Sequence, residues 1–209
     1  MPKSLATIKF AIGTLIWWCA ASYILRLRRN GITDADTTVR GGIDYKIALR
    51  DAGKGFCFIG VGAAKLTSEQ PEFLSAVQRA RQQGSLLKFI LVDPDNSPAM
   101  ENLQKFDGAT HYKALVENSR NFIESAGGDA AEVRNYTVAA DGDFEPYRLF
   151  LTDDACLVSP FIPSTGVDDQ GRGLPQLRIS SHGFPKGDSP TLYRAFKRYF
   201  DKKWEALGE

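Results

Sequence analysis

Histidine and cysteine are scarce in this sequence, and their scarcity excludes several classes of protein. The chain of 209 residues contains 2 histidines and 3 cysteines. His111 and His182 are too few for a multi-histidine metal centre. Cys19, Cys57 and Cys156 are odd in number, far apart and without a C-x-x-C pair, which argues against a disulfide framework and a zinc site. We therefore expect no metal, no other cofactor and a reducing compartment.

A strong charge imbalance, internal repeats and low-complexity tracts are also missing. The formal net charge is +1, so the overall charge does not favour nucleic acid or an anionic membrane surface. Arginines recur in the second half of the chain and leave room for a local basic pocket. The length suits one domain with an appendage.

One uncharged run, FAIGTLIWWCAASYIL, lies between Lys9 and Arg26. As a helix it would cover about 24 Å, whereas a bilayer core is about 30 Å thick. Residues 5–8 and the long side chains of Lys9 and Arg26 would close most of this gap. We therefore predict a membrane anchor over residues 1–29.

The basic residues around this run predict its orientation. Arg26, Arg28 and Arg29 follow the run and slightly outweigh the charge before it, which places the carboxy-terminal domain in the cytoplasm of a single-pass protein. Two alternatives remain. A buried core or oligomerisation helix is one, and a signal peptide cleaved near residues 19–21 is the other, although the arginines would act as a stop-transfer signal.

The rest of the chain predicts an α/β domain. Residues 30–42 are polar with three glycines, typical of a linker, and the domain occupies 43–209. FCFIGVG (56–62) and LLKFILVDP (86–94) are continuously apolar, as in strands covered on both faces. The amphipathic helix between them would turn Phe73, Leu74, Val77 and Ala80 inward and end at Gly84. Strand, helix and strand at this spacing predict a parallel βαβ unit.

The remaining elements complete a sandwich with a mixed sheet flanked by helices. A helix over 43–52 should bury Ile43, Ile47 and Leu49, and a longer one over 100–126 should break near Gly108. Ser189 and Pro190 predict the start of the closing helix. Strands are expected over 132–139, 147–153, 155–162 and 175–180, the second and third of which form a hairpin.

This strand order, with FIGVG, LLKFILVDP and YRLFLTDDACLVS, resembles one copy of the phospholipase D-like repeat over roughly residues 42–207. In that superfamily a His-x-Lys-x4-Asp motif lies late in the domain. The corresponding residues here are Pro146, Arg148 and Asp153. The resemblance implies a degenerate site, because proline has no nitrogen that can attack phosphorus, whereas Arg148 can hold a phosphate. Asp153 would have oriented the missing histidine.

A second match to the motif, HYKALVEN (111–118), is interpreted as a coincidence. Apolar residues recur after it at helical spacing, so His111 and Lys113 should lie near the start of a helix. Residues two apart on a helix point about 200° apart and cannot converge on one phosphoryl group.

The resemblance also implies a homodimer, since single-copy members pair two half-sites. Its cleft would be lined by Arg148 with Arg178, Lys186 or His182, and would accept a nucleotide, another phosphorylated molecule or, with weaker support, nucleic-acid backbone. We thus expect a membrane-anchored, non-catalytic module that senses a ligand or binds a partner. One alternative is an active nuclease or phospholipase built around His182. Another is an effector of bacterial defence whose helix perturbs the bilayer.

Deleting residues 1–29 tests the anchor. We expect the full chain in the membrane fraction and the truncated chain, still folded by circular dichroism, in the soluble fraction. A full chain that is soluble without detergent would contradict the anchor.

Overall fold

The computed structural model describes residues 17–36, 45–107, 111–139, 144–160, 176–182 and 191–208. Seven strands form one sheet in the order β1-β7-β6-β5-β2-β3-β4. The strands are β1 (Ile32–Asp36), β2 (Cys57–Ile59), β3 (Leu87–Val92), β4 (Ala131–Tyr136), β5 (Tyr147–Leu151), β6 (Ala155–Pro160) and β7 (Gln176–Ser180). The helices are α1 (residues 17–29), α2 (Tyr45–Asp51), α3 (Ala64–Thr67), α4 (Gln70–Gln82), α5 (Ser97–Asp107), α6 (Tyr112–Gly127) and α7 (Leu192–Ala206).

The sheet is mixed, so the predicted α/β class is confirmed. Strands β2, β3 and β4 are parallel, and α3 and α4 lie between β2 and β3 in the chain. Strand β5 pairs antiparallel with β2 and forms the predicted hairpin with β6. Strands β7 and β1 extend this antiparallel half.

Each face of the sheet carries its own apolar core. One core contains side chains of α5 and α7, and the other contains side chains of α2, α3 and α4. Strand β5 contributes to both, because neighbouring residues of a strand point to opposite faces. Leu149 and Leu151 belong to the first core, and Phe150 belongs to the second.

Aromatic rings fill the second core around Phe150. Its ring stacks on Phe56 with centroids 4.7 Å apart, and Tyr45 approaches it edge-on at 6.2 Å. Phe89 approaches Phe56 edge-on at 5.4 Å. Such contacts add to the free energy gained by burying the rings.

Several predictions of local structure are wrong. The polar stretch 30–42 is not all linker, because Ile32–Asp36 forms β1 and pairs with β7. Ile47 and Leu74 are each 48% exposed. The buried side of α4 follows Phe73, Ala76, Val77 and Ala80, and Leu74, one residue beyond Phe73, is turned about 100° away from it.

The ends of the helices agree only in part with expectation. Gly84 follows α4 with φ of 62°, as predicted for a residue that ends a helix. The predicted break near Gly108 falls between α5 and α6, and residues 108–110 lie outside the described ones. Helix α7 is capped by Thr191, whose hydroxyl accepts from the Arg194 amide at 3.3 Å. Ser189 and Pro190, like Ile43, lie outside the described residues.

Helix α1 is joined directly to the edge of the sheet. The Gly31 amide donates to the Arg28 carbonyl at 3.0 Å, and the Gly31 carbonyl accepts from Ser180 on β7 at 2.8 Å. Trp17 and Trp18 are 69% and 68% exposed. Within the described residues, which include only part of the uncharged run, no helix is both long and apolar enough to cross a membrane.

Replacing Phe150 with alanine should test the aromatic core. Phe150 is 1% exposed, and large-to-small changes at such positions cost about 3–5 kcal/mol. We expect Phe150→Ala to lower the free energy of unfolding by this amount in urea titrations. Leu74→Ala is the matched control and should change it by less than about 0.5 kcal/mol. Equal losses for the two variants would contradict the assignment of the core.

Candidate functional site

Arg148 lies at the end of the sheet formed by the carboxyl ends of the parallel strands. We call this end of the strands the first edge and the opposite end the second edge. Leu149 on β5 pairs with Ile59, the last residue of β2, so the start of antiparallel β5 lies beside the carboxyl end of β2. Ligands of open α/β sheets bind outside the carboxyl ends of the parallel strands. Pro146 comes immediately before β5 and is exposed, and Arg148 is half-buried.

A row of polar side chains continues from Arg148 across the antiparallel strands. Arg148 pairs with Ser159 on β6. Because Val158 pairs with Leu177, Ser159 and Gln176 are neighbours on adjacent strands. Directly opposed residues share a face, so these three form one row, which we call the Arg148 row.

Ser159 is the least explained member of this row. Ser159 is 1% exposed, and its hydroxyl has no hydrogen-bond partner among the described residues. A buried hydroxyl without a partner is costly, so one that persists next to an arginine marks a place where a ligand or water can accept a hydrogen bond.

Tyr45 of α2 packs on the same face, against Phe58 and Phe150. Burial raises the pKa of the Tyr45 hydroxyl, and the nearby positive charge of Arg148 partly offsets this increase. An anion at the first edge would meet the donors of Arg148 and the hydroxyl of Ser159.

Glu145 anchors the segment that leads into β5. It is 9% exposed, accepts a hydrogen bond from the Tyr199 hydroxyl, and forms an ion pair with Lys203 at 2.5 Å. Burial raises the pKa of Tyr199, and the hydrogen bond to Glu145 raises it further. Two contacts from α7 thus fix the residue before Pro146.

The other predicted site residues do not all surround Arg148. Arg178 is on β7, in the sheet face that carries Arg148, and pairs with Asp51 at 3.4 Å. Asp153 lies in the turn after β5, about 16 Å along the strand from Arg148. His182 follows β7 at this second edge, where Ser181 donates to the Asp154 carbonyl at 2.8 Å.

His182 is exposed, and its Nδ1 lies 3.0 Å from the Ser181 hydroxyl. His182 comes six residues after Gln176, the β7 member of the Arg148 row, so it lies at least about 20 Å from Arg148. Lys186 lies outside the described residues. One chain therefore does not bring Arg148, Asp153 and His182 to one point.

The HYKALVEN stretch folds as the sequence predicts. His111 is the residue that precedes α6, and Lys113 in its first turn forms an ion pair with Asp95 at 2.8 Å. The hydrogen bond from Lys113 lowers the pKa of Asp95. Lys113 thus belongs to a surface ion pair between α6 and the start of the α5 segment.

A cavity that the sequence did not reveal lies at the second edge, and we call it the edge cavity. Its volume is about 200 Å³. It is lined by Lys54, Gly55, Phe56, Cys57, Ser85, Leu86, Leu151, Thr152, Asp153, Tyr193, Lys197, Phe200 and Asp201. These residues come from four separate parts of the chain, so no local pattern points to them. Burial raises the pKa of the Cys57 thiol to about 11, despite the charges of Lys88 and Lys197.

Among the described residues, no group of three or more His, Cys, Asp or Glu side chains could hold a metal ion. Comparison of the chain with protein-family models and with curated proteins gave no match.

Proposed function

We propose that this protein is a membrane-anchored, catalytically degenerate phospholipase D-like module that binds a phosphate-bearing ligand at Arg148. The observation that carries the proposal is the placement of Arg148 beside the buried Ser159 hydroxyl, which lacks a partner among the described residues, at the carboxyl edge of β2. A guanidinium binds phosphate oxygens through two parallel hydrogen bonds, and a hydroxyl adds a third donor.

The family likeness is supported by the arrangement of the strands around this site. Parallel β2, β3 and β4 are followed by an antiparallel β5–β6 hairpin that carries the Pro146-x-Arg148-x4-Asp153 spacing. Helices cover both faces of the sheet, as the sandwich of that superfamily requires. A likeness of fold implies no chemistry by itself, so the activity must be argued from the site.

The side chains at the site suit binding without turnover. The covalent route of the superfamily needs a positioned nucleophile, and Pro146 has none. Asp153, the third residue of the motif, lies at the other edge of the sheet. The protein would hold a nucleotide or another phosphorylated molecule and report its presence, rather than cleave it.

Membrane attachment through the N-terminal helix is supported by the surface of α1. Ten large apolar side chains are exposed in the described residues, and five of these belong to α1: Trp17, Trp18, Tyr23, Ile24 and Leu25. Exposed apolar side chains that are concentrated in one helix indicate a surface that contacts a membrane or another protein. The protein would be single-pass, with the sheet domain in the cytoplasm on the side of Arg26, Arg28 and Arg29.

Arg148→Ala tests the phosphate site. We expect inorganic phosphate and adenosine monophosphate to bind weakly in isothermal titration and to lose about ten- to a hundredfold in affinity, because a charge-assisted contact contributes about 1.5–3 kcal/mol. The matched control is Arg120→Ala, since Arg120 is paired with Glu124 on the surface of α6. It should leave the affinity unchanged.

A hydrolysis assay with bis-p-nitrophenyl phosphate separates this proposal from an enzyme. We expect no product from the full chain. Turnover that disappears with His182→Ala would instead support a phosphodiesterase around His182, and unchanged phosphate affinity in Arg148→Ala would make Arg148 an ordinary strand residue.

A homodimer is part of the proposal, because a single phospholipase D-like copy offers half of a cleft. Arg148 lies at an edge of the sheet and is half-buried, so a second chain can approach it. Light scattering of the chain without residues 1–29 should give twice the mass of one such chain at micromolar protein. A monomer at these concentrations would refute the shared cleft.

A further inference from the structure

The edge cavity lies far from the Arg148 row and needs its own explanation. Its walls are the residues before β2, the turn after β5, the residues before β3, and one side of α7. The α7 residues Tyr193, Lys197, Phe200 and Asp201 follow one another at helical spacing and therefore share a face. The cavity is thus built by the fold as a whole rather than by one loop.

The floor of the cavity is apolar. Leu151 and Phe200, which line it, are 4% and 1% exposed. The Cys57 thiol is neutral at physiological pH, because burial raises its pKa to about 11. Tyr193 has its hydroxyl committed to the Thr152 carbonyl at 2.6 Å. A ligand would therefore bury a hydrocarbon group here.

Two lysines and two aspartates line the cavity, but only one lysine and one aspartate form an ion pair. Lys197 is held by Asp201 at 2.9 Å. Lys54 and Asp153 have no ion pair with any residue that the structure describes, neither with each other nor elsewhere. One ammonium and one carboxylate thus remain available beside an apolar floor.

We infer that the edge cavity binds a small zwitterion, namely a free α-amino acid with an apolar side chain. Lys54 would receive its carboxylate, Asp153 would receive its ammonium group, and Leu151 and Phe200 would contact its hydrocarbon. The volume of about 200 Å³ is below the roughly 300–1,000 Å³ of sites for drug-sized ligands, so the occupant must be small.

A carboxylate suits the cavity better than a phosphate does. Lys54 is the lysine at the cavity that no described carboxylate holds, and it carries one charge, which matches a carboxylate. A phosphate would add negative charge beside Asp153 without a second available cation. Phosphoethanolamine, the polar part of a common lipid, also lacks the hydrocarbon that the floor would bury.

Isothermal titration of the full chain with L-leucine tests the inference. We expect binding with a millimolar or lower Kd, and a loss of about tenfold or more in Lys54→Met and in Asp153→Asn, since each removes one charge-assisted contact. Asp154→Asn, in the neighbouring position of the same turn, and Lys202→Met, on the exposed side of α7, are matched controls. Both controls should bind as the unchanged chain does.

Ligand comparisons distinguish the chemistry. Isovalerate has the hydrocarbon and the carboxylate but no ammonium group, so it should bind the unchanged chain at least tenfold more weakly than leucine does. In Asp153→Asn, isovalerate and leucine should bind with about equal affinity. Phosphoethanolamine should bind more weakly than leucine, and Arg148→Ala should bind leucine normally, which separates this site from the phosphate site. Absence of binding up to about 10 mM leucine, tighter binding of phosphoethanolamine, or equal losses in Asp154→Asn and Asp153→Asn would each overturn the inference.

Discussion

The antiparallel pairing of β5 with β2 is the interaction on which the rest of the structure depends. It joins the parallel half of the sheet to the antiparallel half through three residue pairs, Cys57 with Leu151, Phe58 with Phe150, and Ile59 with Leu149. The direction of β5 places Arg148 at the carboxyl end of β2 and sends the turn that carries Asp153 to the opposite edge. Because side chains alternate along β5, Phe150 simultaneously enters the aromatic core on the side of α2.

The two edges of the sheet consequently offer different chemistry. Arg148 and Ser159 present donors to an anion at one edge, whereas Lys54 and Asp153 present both signs of charge at the other. Helix α1 joins the sheet at the second edge, where the Gly31 carbonyl accepts from Ser180. If α1 is anchored in a bilayer, the edge cavity lies on the membrane side of the domain and the Arg148 row lies on the side away from it.

Much of the frame could be predicted because its strands are continuously apolar. Strand β3 is recognisable because its short apolar run is typical of a strand covered on both faces, and Leu87 and Phe89 to Val92 are indeed buried. Strand β1 escaped prediction for the opposite reason. Thr33 and Asp34 are exposed, and the strand is held by backbone pairing with β7, which leaves no hydrophobic period in the sequence.

Some residues of the candidate sites could be predicted from the sequence, and others could not. Arg148 was predicted on a strand because the motif spacing is local. Ser159 can be assigned to the Arg148 site only once the register between β5 and β6 is known. Lys54 and Asp153 come to line one cavity only after the sheet forms. Register and long-range contacts depend on tertiary packing, which one sequence does not display. Asp153, close to Arg148 in the motif, lies at the far edge because β5 is extended between them.

The segment before β5 is held in place from one side by α7. Glu145 is held in a buried position by the Tyr199 hydroxyl and by Lys203, both on α7. Proline restricts its own backbone and that of the preceding residue, so Pro146 adds rigidity to a segment that is already fixed on one side. Tyr147 then packs edge-on against Phe196 and Tyr199, with centroids 5.3 and 5.8 Å apart. Arg148 is therefore presented from a rigid backbone, which would lower the entropy lost if it bound an anion.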